Sequence, residues 1–257
     1  MLGELGLRDG EAVRRHGRWI RPALRAYFRP RVEGLEHLPS GPFLGVGNHS
    51  GAAMIPDVWV WAAEYTAERN RPPLLVLAHE AFFTVYPERL ARFLSRLGAV
   101  RADRKLARAA LDAGYAVQVY PGGDHDACRS YALRNRIVFA GRRGYVELAR
   151  DAGVPIVPVV SHGAHGALLV LWDGVPLARA LGLEASHRLA VFPLTVSVPW
   201  GLWLGPLPGY LPLPVRIRIR VLPPIDPTAD HPAAIDALVR SEMQSALDAM
   251  CSEEVSS

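Results

Sequence analysis

With 257 residues, half of them hydrophobic and 21% charged, the chain can bury one sizeable core or two small ones. A net charge of +4 and a pI of about 9.3 fit an anionic membrane surface, a phosphorylated substrate or nucleic acid; with no RNP-like, zinc-finger or helix-turn-helix pattern, nucleic acid is set aside as a partner. Mean hydropathy is +0.10, yet no stretch offers the run of about twenty apolar residues that a spanning helix needs.

The first sixteen residues carry Glu4, Arg8, Asp9, Glu11, Arg14 and Arg15. A secretory core does not fit there, so the expected compartment is the cytoplasm. Cys128 and Cys251 sit in no disulfide framework and suit a reducing environment. Gly10 to Phe28 reads as a basic amphipathic helix, with Trp19, Ile20, Leu24, Tyr27 and Phe28 set among arginines. It is expected either to lie on a membrane or to dock on the core, and Pro30 ends it.

A buried strand is expected over Phe43–Gly47, followed by the loop Asn48-His49-Ser50-Gly51 and a helix opened by Pro56-Asp57. The alternation then repeats. Strands at Leu74–Leu77, Ala99–Arg101, Val117–Tyr120 and Ile156–Val160 are interleaved with helices at Pro87–Leu97, Asp103–Ala113 and Arg142–Ala152. This pattern predicts an α/β fold: a single domain with a mostly parallel central sheet flanked by helices, plus the amphipathic N-terminal helix.

From Leu189 to Val215 no residue is charged. Six prolines from Pro193 to Pro214 forbid a regular helix, while Trp200, Trp203 and Tyr210 are interface-loving side chains. The expectation is an irregular apolar segment that enters the headgroup layer, lines an acyl-chain pocket or lies buried. Val215–Val221 alternates apolar residues with Arg216, Arg218 and Arg220, a strand with a basic face. Ala233–Met250 closes the chain as a helix.

Three places can carry chemistry. His49 stands at the carboxyl end of a strand, where ligands of open α/β sheets collect, and an imidazole there can take a proton from a hydroxyl. Asp57 can hold that imidazole only if Ser50–Ile55 is a loop, because eight helical residues would set the two about 12 Å apart. Tyr120-Pro121-Gly122-Gly123-Asp124-His125-Asp126 again follows a strand, and paired glycines let backbone N–H groups approach a phosphate or an oxyanion. Arg129, Arg134 and Arg136 come next, with the planar fork that suits an anion. The third is Gly98–Arg104, a short strand ending in arginines.

Together these blocks resemble the glycerolipid acyltransferases, the superfamily of glycerol-phosphate and lysophosphatidate acyltransferases. Asn48-His49 through Asp57 is similar to the family's His-x-x-x-x-Asp block, and Gly98–Arg104 to the block closing with an acceptor-binding arginine. Tyr120-Pro121-Gly122-Gly123 stands where the family has Phe-Pro-Glu-Gly-Thr-Arg. Val154-Pro155-Ile156-Val157-Pro158-Val159 resembles its Val-Pro-Ile-Val-Pro block, and Gly34–Pro39 is also typical. The resemblance covers about residues 31–170.

Two departures stand out. Seven residues separate His49 from Asp57 instead of four, with Met54 in the expected aspartate position, and Pro-Gly-Gly replaces the Glu-Gly-Thr-Arg signature. Both look more like the mono- and diacylglycerol acyltransferase branch.

The resemblance implies an acyltransferase domain over 31–257 behind a membrane-associating helix over 1–30. It implies acyl transfer from acyl-CoA or an acyl carrier protein to a lysophospholipid or other glycerolipid hydroxyl, with no further cofactor. His49 and Asp57 are then catalytic. Asn48, Ser50, Arg104, Gly122, Gly123, Asp124, His125, Arg129 and Arg136 bind substrate, with the Gly122–Gly123 backbone or Arg104 facing the oxyanion. Membrane lipids are partners, and the protein is peripheral on the inner face of the cell membrane.

Other readings stay open: a hydrolase using Cys128 with His125 or His49, a metal site from His49, His125, Asp126 and Cys128, or a lipid-binding protein with a defective dyad. His162 and His165, after the Ile156–Val160 strand, either line the same cleft or, more commonly for such residues, are structural, and His79-Glu80 at another strand end is a reserve partner for His49.

Overall fold

In the computed structural model, residues 6–52, 54–68, 70–84, 87–183, 189–207 and 209–255 are described. The first five residues of the N-terminal segment, and Pro208 of the charge-free stretch, lie outside them. A central sheet runs through β1 (Arg31–Glu33), β2 (Leu44–Gly47), β3 (Leu74–Ala78), β4 (Ala99–Arg101), β5 (Ala116–Val119), β6 (Ile156–His162) and β10 (Arg218–Val221). Its order is β1-β10-β6-β2-β5-β3-β4. The five strands from β6 to β4 are parallel, and β10 pairs antiparallel with β6. The mostly parallel α/β architecture expected from the alternating pattern is therefore present.

Both faces of the sheet are covered, which is why its strands read as continuous apolar runs. On one face Leu44, Val46, Val117 and Val119 pack with α5 (Arg104–Asp112), α7 (Gly144–Ala152) and the C-terminal helix α9 (Pro232–Val255). On the other, Phe43, Val157, Val159 and Ile219 pack with Trp61 and Tyr65 of α2 (Pro56–Tyr65) and Phe28 of α1 (Gly10–Phe28). α1 is anchored by more than apolar contact: Arg21 and Arg25 both bind the buried carboxylate of Glu64 at 2.7–3.2 Å. Pro22 sits on its exposed side.

One expectation needs correction. The charge-free stretch contains regular structure: β8 (Leu194–Ser197) and β9 (Gly201–Leu204) form a hairpin, and β8 also pairs with β7 (Leu169–Trp172) in a second, three-stranded antiparallel sheet. Prolines cluster at and beyond the strand ends, where no ladder hydrogen bond is lost. The expected strand with a basic face is β10, and that face is covered by α9 and Glu33. Arg218 is buried against Glu253 and the Met250 carbonyl of α9, and Arg220 binds Glu33 and Glu253.

Candidate active site

β2 lies in the middle of the parallel set, between β5 and β6. In-register pairing of Leu44 with Val117 and of Val46 with both Val119 and Pro158 brings the three strands to a common carboxyl edge. The loops that leave them therefore meet. Asn48 fastens that edge. Its amide donates to the Ser161 carbonyl and accepts from the Ser161 N–H, both at 2.8 Å, so this buried residue ties the β2 loop to β6.

His49 follows, almost buried. Its backbone N–H donates to Asp126 Oδ2 at 2.7 Å, and its ring Nδ1 lies 3.2 Å from the same oxygen. The carboxylate bonded to His49 is thus Asp126, where the sequence pointed to Asp57. Asp126 lies in the short helix α6 (Gly123–Ala127) after β5, fully buried, with Arg129 bound to its other oxygen. Burial alone would raise its pKa, but the Arg129 guanidinium and His49 hold it below the usual carboxylate range. The spacing of Asp126 and Arg129, three apart at the end of a helical turn, is the sequence signal for this pair. Arg129 is correspondingly committed to Asp126 and to the Arg134 carbonyl.

The described residues of Ser50–Ile55 form a loop, with Ala52 and Ile55 held at φ of 46° and 34°, backbone angles that side chains other than glycine seldom adopt. Strain of this kind concentrates at functional sites. The loop brings Asp57 back to Ser50, whose hydroxyl donates to Asp57 Oδ2 at 3.4 Å. Burial pushes the Asp57 carboxyl up to about 7, against the opposing pull of His49. The proton affinities of two buried carboxyls that act electrostatically on the same imidazole are thus driven apart, Asp126 down and Asp57 up.

Between the ordinary carboxyl pKa near 3.8 and the folded value near 7, the native chain holds a proton that the unfolded chain has lost. Stability therefore falls as pH rises through that window and levels off above it. Replacing Asp57 with Asn is expected to remove a penalty on the order of 4 kcal/mol at alkaline pH and almost none near pH 4. Thermal denaturation of parent and variant across this range checks it; an unchanged difference from acid to alkaline pH would refute the assignment.

The imidazole is stacked on Tyr120 at 4.7 Å between ring centroids and 11° between planes. Gly47 makes this stacking sterically accessible, because a β-carbon there would stand 2.7 Å from the Tyr120 ring. The glycine turn is built for internal packing. A β-carbon on Gly122 would meet the Val138 carbonyl at 2.2 Å, and the Gly123 N–H donates to the Tyr120 carbonyl at 3.0 Å. Asp124 binds the Ala190 N–H at 2.7 Å and faces Arg142, while His125 is half-buried on α6.

Arg104 is not gathered into this group. It is exposed on α5 and bound to Glu147 and Asp151 of α7 at 3.1 and 2.8 Å. Arg136 is exposed in the loop before α7. Two buried side chains that interact electrostatically with the His49–Asp126 pair, Arg129 and His165, carry nitrogens for which the sequence suggested other roles. Burial pushes the His165 imidazole down to about 3, so it is neutral. Its Nε2 and the Arg129 Nε are buried without a hydrogen-bond partner. Cys128 is a poor nucleophile, since burial pushes its thiol up to about 12. Tyr210, from the charge-free stretch, donates to the Gly51 carbonyl at 2.6 Å and roofs the loop that follows His49.

Residues 29–162 match the family model described as Acyltransferase. An uncharacterized protein of Mycobacterium tuberculosis is 30% identical over 223 residues, which cover 85% of this chain and 58% of that protein. A Gallus gallus protein named DGAT1/2-independent enzyme synthesizing storage lipids is 28% identical over 225 residues, covering 84% and 60%. The chain thus spans about three-fifths of the length of these curated relatives. In fold it is similar to the crystal structure of the 1-acyl-sn-glycerophosphate (LPA) acyltransferase, PlsC, from Thermotoga maritima. The TM-score is 0.59 at 16% identity, covering 93% of this chain and 79% of that one.

Proposed function

The chain belongs to the acyltransferase family, within the glycerolipid acyltransferase superfamily, and from that premise we propose that it moves a fatty acyl group from a thioester to a glycerolipid hydroxyl with His49 as the general base. The observation that carries this reading is the His49–Asp126 contact at the carboxyl edge of the sheet. With Asp126 accepting from Nδ1–H, the Nε2 lone pair is left to receive a proton.

The acceptor hydroxyl gives its proton to Nε2 as its oxygen bonds to the thioester carbonyl carbon. The tetrahedral intermediate then expels the thiolate, which takes the proton back from the imidazolium. The products are an ester and a free thiol, and the imidazole is restored. Asp126, ionised, stabilises the imidazolium; Asp57, within the field of the same ring, adds to this when it is ionised. The Arg129 Nε–H, and the His165 Nε2 in the tautomer that carries its proton there, are buried and unpartnered and are our candidates for the developing oxyanion, a role worth roughly 3 kcal/mol per donor. No acyl-enzyme is needed, because the thioester is already activated. The donor is acyl-CoA or an acyl carrier protein, and no other cofactor takes part.

An uncharged acceptor, monoacylglycerol or diacylglycerol, fits better than lysophosphatidate. Of the arginines expected to grip a phosphate, Arg129 is committed to Asp126 and Arg104 to two carboxylates on α7. The Pro-Gly-Gly turn and the resemblance to a storage-lipid enzyme support the same choice. The test is incubation with acyl-CoA and four separate acceptors (lysophosphatidate, lysophospholipid, monoacylglycerol and diacylglycerol), with products read by mass spectrometry. Ester formation on an uncharged glyceride is expected. Product on lysophosphatidate alone would overturn the acceptor assignment, and no ester with any acceptor would overturn the reading.

A further inference from the structure

The second sheet presents an apolar surface to the outside. Its two-residue periodicity puts Val170, Thr195 and Trp203 on one face, across from one another in the ladder. That face is turned inward, where Val170 packs with Leu168, Leu207 and Tyr210. The alternate residues, Leu169, Leu194, Val196, Leu202 and Leu204, share the other face. In an antiparallel sheet that covers a core, this outer face is ordinarily polar. Here Leu202 is 66% exposed and Leu204 51%. The surface continues through Trp200, Leu211 and Leu213, all exposed, inside a stretch that has no charge from Leu189 to Val215. A contiguous exposed apolar surface of this kind marks an interaction site.

Two features identify what covers it. The Tyr27 hydroxyl donates to the Pro212 carbonyl at 2.6 Å, so α1 is tied to this surface. That helix holds Arg14, Arg15, Arg18 and a 79% exposed Trp19 toward solvent. Apolar side chains rimmed by tryptophan, linked to a basic helix, are the complement of a lipid leaflet with anionic headgroups. A second copy of this chain, itself net +4, is a poorer counterpart for those arginines than an anionic lipid surface. Tyr210 links the same segment to Gly51, two residues past His49.

We propose that the outer face of the β7–β8–β9 sheet inserts into the acyl boundary of an anionic bilayer, with α1 on the headgroups, and that this holds the His49 loop over the membrane. The surface supports membrane binding in its own right; its purpose rests on the acyl-transfer reading.

The test is cosedimentation of the full chain with vesicles of phosphatidylcholine and phosphatidylglycerol, parent against Leu202→Ser/Leu204→Ser. Both side chains point away from the core, so the double variant is expected to fold, which circular dichroism and its melting temperature verify. Loss of about tenfold or more in vesicle partitioning is expected, with parent binding weakened by high salt or by omission of phosphatidylglycerol. Equal partitioning of variant and parent would overturn the proposal. So would a parent that is dimeric by ultracentrifugation and a variant that is monomeric, since the face would then be a self-association surface. Transfer from a short-chain acyl-CoA to a dispersed short-chain glyceride is read alongside. Vesicle binding lost with this transfer intact supports both readings. Transfer absent from parent and variant alike would sink the acyl-transfer reading and leave docking to stand on the vesicles alone.

Discussion

Replacing Asp126 with Ala is expected to lower stability by about 3–5 kcal/mol and to remove most acyl transfer. The carboxylate is wholly inaccessible and holds three groups together: the His49 N–H, the His49 ring and the Arg129 guanidinium. Its loss strands a buried cation whose Nε already lacks a partner, and an uncompensated buried charge accounts for most of the penalty. Stability and chemistry can be separated by a second change. Asp126→Ala combined with Arg129→Met removes both charges, so it is expected to recover much of the stability while transfer stays lost. Denaturant titrations and steady-state kinetics of the three proteins check this. A single Ala variant as stable as the parent would mean that the buried pair is not what holds the loop.

His49→Ala is expected to lose transfer as well, by about a hundred- to ten-thousandfold, but with the fold retained. The ring lies at the rim of the sheet, stacked on Tyr120 alone among the described aromatic side chains. Its removal still leaves Asp126 the backbone N–H of residue 49 and Arg129 as partners. Parent-like melting together with single-turnover rates about a hundred- to ten-thousandfold below those of the parent is the anticipated result. Turnover above about a hundredth of the parent rate would take His49 out of the proton transfer.

The difference between the two variants reflects how the site is built. His49 is displayed by the scaffold, whereas Asp126 is part of it. Parallel strands put the residues after β2, β5 and β6 side by side, and the carboxylate bonded to the imidazole comes from α6, the short helix after the neighbouring strand, not from the helix that follows His49 in sequence. Asp57 is nonetheless drawn close, buried beside the pair with a raised proton affinity. Removing its charge tests folding energetics more directly than it tests the orientation of the ring.

Local periodicity and strand-end motifs were enough, from the sequence alone, to establish the alternating α/β units, the buried strands, the N-terminal helix over Gly10–Phe28 and the placement of His49 and the glycine turn at strand ends. These depend on short-range patterns: apolar runs bounded by Gly and Pro, and a Pro at a helix start. Which strands are neighbours is a long-range property, decided by how the apolar faces of separate units pack, and it has no signature within a ten-residue window. Hence the pairing of β2 with β5, and with it the partnership of His49 and Asp126, became visible only in the folded chain. The arginines show the same divide. Arg104, Arg129, Arg218 and Arg220 look alike as sequence, and their fates were settled by which carboxylates the fold set opposite them. The charge-free segment announced its apolar character directly, but whether those side chains faced inward or outward depended on strand register, since a shift of one residue exchanges the two faces.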